Sequence, residues 1–169
     1  MDRRGFFKLF SIAASIPLIN KVASGGQKRV EMSQIKRGAD LGVVYHCDFP
    51  QEDRFRTMLR NIGNHLSVYD FNPMKIKIVV VAHGAGVKFF MKDLSGSPWE
   101  KETLKLQELY EEEKSLATYG VEYYICNITI QRLKLDPNKF NDLIVLVPSG
   151  VGAIGHLQSV EKFAYIKVQ

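Results

Sequence analysis

Tyr119-Gly120-Val121-Glu122-Tyr123-Tyr124-Ile125-Cys126-Asn127 reads as the end of a helix, a buried strand and a thiol at that strand's exit. Gly120 suits the left-handed position that closes a helix. Val121 to Ile125 is rich in residues that favour strands. Cys126 falls where the strand should emerge, and Asn127 is a good cap for a following helix. In open α/β sheets, chemistry gathers beyond the carboxyl ends of the strands. A thiolate placed there is favoured by a following helix N-terminus.

Working outward, other apolar runs end in a similar chemical style. Leu41 to Val44 leads into Tyr45-His46-Cys47-Asp48, Ile76 to Ala82 into His83-Gly84, and Leu143 to Val147 into Pro148-Ser149-Gly150. If these strands are parallel, Cys126, Cys47, His83 and His46 share one rim. Between the runs lie helical patterns. One starts near Pro50, a favourable first helical residue, and sets Phe55, Met58, Leu59, Ile62 and Leu66 on one face. Further helices are expected over residues 102–119, 128–134 and 151–162, with a short segment at Val87 to Met91 and a last strand over residues 163–168. Val- and Ile-rich strands alternating with helices mean a parallel sheet covered on both faces. The expected fold is a three-layer α/β/α domain of flavodoxin-like architecture, with about five parallel strands.

Residues 1–24 have the character of an export signal rather than of a fold. Arg3-Arg4-Gly5-Phe6-Phe7-Lys8 is a twin-arginine pattern. The apolar stretch Leu9 to Ile19 is too short to be a permanent span, and Val22-Ala23-Ser24 offers a small-residue cleavage site. These features imply a periplasmic protein. The whole chain carries +5, and the signal accounts for Arg3, Arg4, Lys8 and Lys21 against Asp2, leaving the remainder near +2. No basic stripe with interleaved aromatics exists, so nucleic-acid binding has no support. No second apolar segment is long enough to be an integral membrane span. Residues 25–39 are expected to form a linker or arm, and residues 40–169 one domain. Two cysteines cannot build a disulfide framework, although they could form one bond or a redox pair.

Gly150-Val151-Gly152-Ala153-Ile154-Gly155 matches the glycine fingerprint of dinucleotide sites. Too few residues follow to supply the ribose-binding acid and another βαβ unit. A tight strand-to-helix turn explains the glycines, and its backbone N–H groups at Ser149, Gly150 and Gly152 could receive an anion. His46, Cys47, Asp48, His83 and Cys126 carry metal-donor atoms, but their spacing matches no metal signature. Adjacent residues at a strand end also point to opposite faces, so no metal is expected, and no cofactor. His65 is expected to pack on the first helix, and His156 to be exposed on the last.

The chain resembles the DsrE/DsrF-like family of small α/β proteins. The likeness spans roughly Leu41 to Val168 and rests on Tyr45-His46-Cys47-Asp48, Leu59-Arg60-Asn61-Ile62-Gly63-Asn64-His65 and Val80-Val81-Ala82-His83-Gly84-Ala85-Gly86-Val87. It also rests on the Gly120 to Asn127 stretch and on Val147-Pro148-Ser149-Gly150-Val151-Gly152. The resemblance implies a doubly wound parallel sheet, assembly into trimers or hexamers, and, for some members, sulfur relay through a cysteine persulfide. Cys126 matches that cysteine's place. On this expectation Cys126 carries sulfur, His83 stabilises the anion or shuttles a proton, and Cys47 resolves. His46, Asp48, Gly84, Ser149, Gly150 and Gly152 line the ligand site. The partners would be a sulfur donor or acceptor protein, or a small reduced sulfur compound. Phe89, Phe90, Trp99 and Tyr110 add an aromatic load that a lone domain is not expected to cover, a further motive for a homo-oligomer. The alternative is a non-catalytic binding rim with structural cysteines. Export is checked by Arg3→Lys with Arg4→Lys, which should retain a folded chain in the cytoplasm; unchanged export of that variant counts against the signal.

Overall fold

The computed structural model describes residues 26–169, so the export signal at residues 1–24 lies outside the described residues. The strands are β1 (Lys28–Arg29), β2 (Leu41–Cys47), β3 (Ile76–Ala82), β4 (Glu122–Cys126), β5 (Ile144–Val147) and β6 (Ala164–Lys167). All pairings are parallel, in the order β1-β5-β4-β3-β2-β6. The helices are α1 (Glu52–Val68), α2 (Leu106–Ala117), α3 (Asn127–Arg132) and α4 (Gly150–Ser159), with a 3₁₀ run over Gly84–Phe90. No helix among the described residues is long and apolar enough to cross a membrane.

Because β2 to β5 step in one direction across the sheet, right-handed crossovers keep α1 and α2 on one face. The chain then returns from β5 to β6 at the far edge, which carries α4 across the other face, against β2, β3 and β4. The two faces bury separate clusters. Val43, Tyr45, Ile78, Val80, Tyr123 and Ile125 pack with Phe55, Met58, Ile62 and Leu109 from the α1–α2 layer. Val44, Val79, Val81, Tyr124 and Val147 pack with Ala153, Ile154 and Leu157 of α4. β2 to β5 thus divide their side chains with the strict period of two, and burial on both faces explains the unbroken apolar runs.

Several expectations need correction. The segment expected to be a linker or arm docks on the sheet and supplies a sixth strand: Lys28 and Arg29 pair with Val145 and Leu146, and Ile35 is buried beneath α4. α1 begins at Glu52 with Gln51 as its cap, so Pro50 lies before the helix. Cys126, rather than Asn127, occupies the N-cap of α3. Phe89 and Phe90 do not form an uncovered patch. Phe55 stacks on Phe89 at 4.4 Å and meets Phe90 edge-on at 5.4 Å, all three fully buried. Trp99 and Tyr110 are half-buried, so aromatic exposure does not argue for assembly. Gly120 does take the left-handed conformation, φ 84°.

Burial also catches two charged residues. Lys88 is buried and pairs with Glu102, pinning the 3₁₀ run to the loop before α2. Glu113 of α2 is fully buried; its Oε2 accepts from Asn141 Nδ2 at 2.8 Å, while its Oε1 has no partner among the described residues. Loss of hydration pushes this carboxyl well above its usual 4.5, only partly opposed by the Asn141 bond. The folded state therefore holds a proton that the unfolded state releases. Stability from this group is full below about pH 4.5 and falls as pH rises toward the folded-state value, by up to about 1.4 kcal/mol per pH unit within that window. Glu113→Gln should remove this slope, so its stability relative to the parent, read by urea unfolding, should rise as pH increases above about 4.5. A pH-independent difference would show that Glu113 is ionised in the folded chain.

Candidate functional site

The strand register sets the rim. Ala82 pairs with Ile125, so His83, the next residue, is level with Cys126. His46 pairs with Val81 on the other side. Val44, Val81 and Tyr124 face α4, and the period of two carries His46, His83 and Cys126 to that same face. Cys47 has the opposite parity, joining Tyr45 and Ala82 in the α1–α2 cluster. The sheet therefore stands between the two thiols. Cys47 pairs with Ala82 and Ala82 with Ile125, which places the Cys47 and Cys126 strands two spacings apart, about 10 Å. That is too far for a disulfide, and both cysteines are free.

Cys47 is fully buried, with Sγ 3.8 Å from the Gly86 carbonyl oxygen. Burial pushes its thiol up, and the Asp48 and Glu113 charges act in the same direction. Gly86 is required beside it: a Cβ there would lie 2.2 Å from the Cys47 carbonyl oxygen and 2.8 Å from Sγ. Cys126 is 5 % exposed, at the junction of β4 and α3. α3 has only six residues, so the dipole invoked from sequence is that of a short helix. Gly150 at the start of α4 draws the rim together. A Cβ on it would be 3.0 Å from Cys126 Cβ and 3.1 Å from His83 Cβ. Close packing, rather than ligand approach, is what this glycine permits.

The imidazoles face one another. His46 Nε2 and His83 Nε2 are 2.7 Å apart, and His46 Nδ1 is 2.7 Å from the Tyr165 hydroxyl. Asp48 Oδ2 lies 3.8 Å from His46 Nε2. One Nε2 must donate and the other accept, so each proton arrangement fixes both tautomers. Charging both rings would set two N–H donors against each other. Burial is the largest influence on each ring and lowers its proton affinity below the usual histidine value. Asp48 opposes it for both; His46 is lowered further by His83, and His83 by Arg132.

The donor atoms of His46, Asp48 and His83 lie within 4.8 Å of one another, a group able to hold a metal ion. Alternation along the strand sets Cys47 on the other face, but it does not separate His46 from Asp48, which are two residues apart and share a face. The backbone donors expected to bind ligand are partly engaged. Gly84, at φ 56°, gives its N–H to Thr129 Oγ1 at 3.1 Å, and Gly152 gives its N–H to Ser149 Oγ at 3.1 Å as an α4 cap. His65 is bonded to the Tyr45 hydroxyl at 3.2 Å, and His156 is half-buried rather than exposed. Tyr165 and Thr129 were missed from sequence. Their roles depend on β6 lying beside β2 and on α3 folding back to the β3 turn. A cleft of about 500 Å³ lined by Arg37, Asp40, Met74 and Glu161 lies at the opposite, amino ends of the strands and holds none of these groups.

A model of the DsrE/DsrF-like family matches residues 54–167, taking in β3, β4, Cys126, His83 and Gly150. The chain belongs to the DsrE/DsrF-like family. Among solved structures it is similar to a protein of unknown function, MTH1491 from Methanobacterium thermoautotrophicum. The two share 26 % identity at a TM-score of 0.60, over 76 % of this chain and 99 % of the other. No curated protein matches. The family match starts after His46, Cys47 and Asp48, so that part of the rim lies outside it.

The two thiols should differ in reactivity. Alkylation of the native protein near pH 7 should label Cys126 faster than Cys47, whose sulfur is sealed beneath Gly86. The check is peptide mass mapping over time; equal rates, or labelling of both only after denaturation, would place Cys126 in the core.

Proposed function

We propose that this DsrE/DsrF-like protein is a sulfur carrier that uses Cys126 as its persulfide-bearing thiol. The observation that supports the reading is the placement of Cys126: it ends β4 on the rim, level with His83, while the other cysteine is shut away across the sheet. The Cys126 thiolate attacks a sulfane sulfur of a polysulfide or of a donor persulfide. A new S–S bond forms on Cys126 as the donor S–S bond breaks, and the shortened donor leaves as an anion. An acceptor thiolate then attacks the outer sulfur, and Cys126 leaves as thiolate. No net electrons move. His83 lies beside Cys126 across Gly150 and offers an imidazole to the anion or to a proton in transit.

The acceptor thiol comes from a partner rather than from Cys47. The placement of Cys47 removes it as a resolving group in this reading, and its role is packing against Gly86. The donor is a small reduced sulfur compound or a partner protein. Periplasmic location and a homo-oligomer, a trimer or hexamer, complete the proposal. The twin-arginine pattern supports the first and the family the second, and light scattering at micromolar concentration reads the assembly directly.

Incubation with inorganic polysulfide, followed by intact and peptide mass spectrometry, tests the chemistry. One added sulfur, about 32 Da by elementary mass, should appear on Cys126 and transfer to an added thiol. Cys47→Ser should leave the adduct in place, and Cys126→Ser should abolish it. An adduct on Cys47, or none on a folded protein, would leave the rim as a binding surface with structural cysteines.

A further inference from the structure

The His46–His83 pair and Asp48 converge with no task in thiol chemistry that requires all three. His46 and Asp48 come from the end of β2 and the residue just beyond it, His83 from the exit of β3, and Tyr165 from β6. Two imidazole nitrogens and a carboxylate oxygen within 4.8 Å of one another form a mixed nitrogen and oxygen donor set. Such a set suits a borderline divalent ion such as zinc, with three protein ligands and a further position open.

We propose that His46 Nε2, His83 Nε2 and one Asp48 oxygen form a binding site for a divalent first-row transition-metal ion, with an open coordination position at the rim. The geometry needs a small adjustment. The two Nε2 atoms are 2.7 Å apart, whereas ligands on a tetrahedral zinc ion at its usual bond lengths stand about 3.3 Å apart. Metal entry replaces the hydrogen bond between the rings. The proton shared between the two Nε2 atoms moves to a ring Nδ1, so both Nε2 lone pairs face the ion and no net proton is released. His46 is already arranged for this: its Nδ1 lies 2.7 Å from the Tyr165 hydroxyl, an acceptor for the N–H that a metal-bound tautomer carries. An outer partner of this kind orients a ligating histidine and fixes its tautomer. The period of two explains why Cys47, between two ligands in sequence, is not itself a ligand.

This inference does not rest on sulfur transfer, and either can fail alone. The test uses the purified, untagged full-length chain, stripped with a chelator and titrated with zinc by calorimetry, with metal content read by elemental analysis. One zinc per chain is expected. Asp48→Asn should weaken binding at least about tenfold, and Tyr165→Phe by about tenfold, in line with the effect of removing an outer-shell partner. His46→Ala and His83→Ala should abolish tight binding, with circular dichroism confirming that each variant is folded. Should a histidine variant fail to fold, the two conservative variants still decide the matter. Cobalt substitution gives a second readout: ligand-field bands without the sulfur-to-cobalt charge-transfer band that thiolate ligation produces. Cys47→Ser and Cys126→Ser should leave zinc affinity unchanged. Absence of stoichiometric binding overturns the site, as does binding that survives Asp48→Asn and Tyr165→Phe but disappears with either cysteine.

Discussion

Side-chain alternation across the parallel sheet is the constraint on which the rim depends. The pleat sends neighbouring residues to opposite faces, and both faces are covered, α1 and α2 on one and α4 on the other. A residue at a strand end therefore reaches the α4 side of the rim or becomes part of the α1–α2 core. His46, His83 and Cys126 fall on the α4 side, and Cys47 does not. Moving β2 by one residue would exchange His46 for Cys47 and put an imidazole into an apolar core, at a desolvation cost of several kcal/mol. His46, the one polar residue among Val43, Val44, Tyr45 and Cys47, favours the register that keeps it on the α4 side of the rim.

Two glycines turn that alternation into close contacts. At Gly86 the backbone of the 3₁₀ run passes against Cys47 so closely that no β-carbon fits. At Gly150 the start of α4 sits against the stems of Cys126 and His83. The first contact seals one thiol in the core, and the second brings the other thiol and an imidazole to one place. Neither glycine works by left-handed backbone freedom. Each works by lacking a side chain, the condition that close backbone approach requires. Thr129 adds a tie by accepting the Gly84 N–H, so the exits of β3 and β4 are joined through α3 as well as through the sheet.

The rim joins two kinds of chemistry in one small area. A thiol ends β4, and the imidazole pair lies beside Asp48. The pair is half-buried, so each ring is pressed toward its neutral form, the form that accepts a proton or a metal ion. Elsewhere among the described residues, the buried Lys88 is answered by Glu102, and lost hydration presses the buried Glu113 toward its neutral form.

Much of this was legible in the residues. Val- and Ile-rich runs alternating with helical patterns gave a parallel sheet covered on both faces, because only burial on both sides produces such runs. Runs ending in His46, His83 and Cys126 placed the chemistry on one rim, because parallel strands share their exits. Local pattern could not supply the partners that come from far along the chain. β1 is two residues long and polar, so its place in the sheet depends on pairing with β5 rather than on its own preference. Tyr165 reaches His46 only because the return crossover lays β6 beside β2. Glu113 follows two other acids, and the packing of α2 over Asn141 and Tyr123 buries it. Sequence decided which residues sit at strand ends, since that follows from hydrophobic period. Tertiary structure decided which thiol shares a face with the histidines, since register and close backbone approach are set by contacts between distant segments.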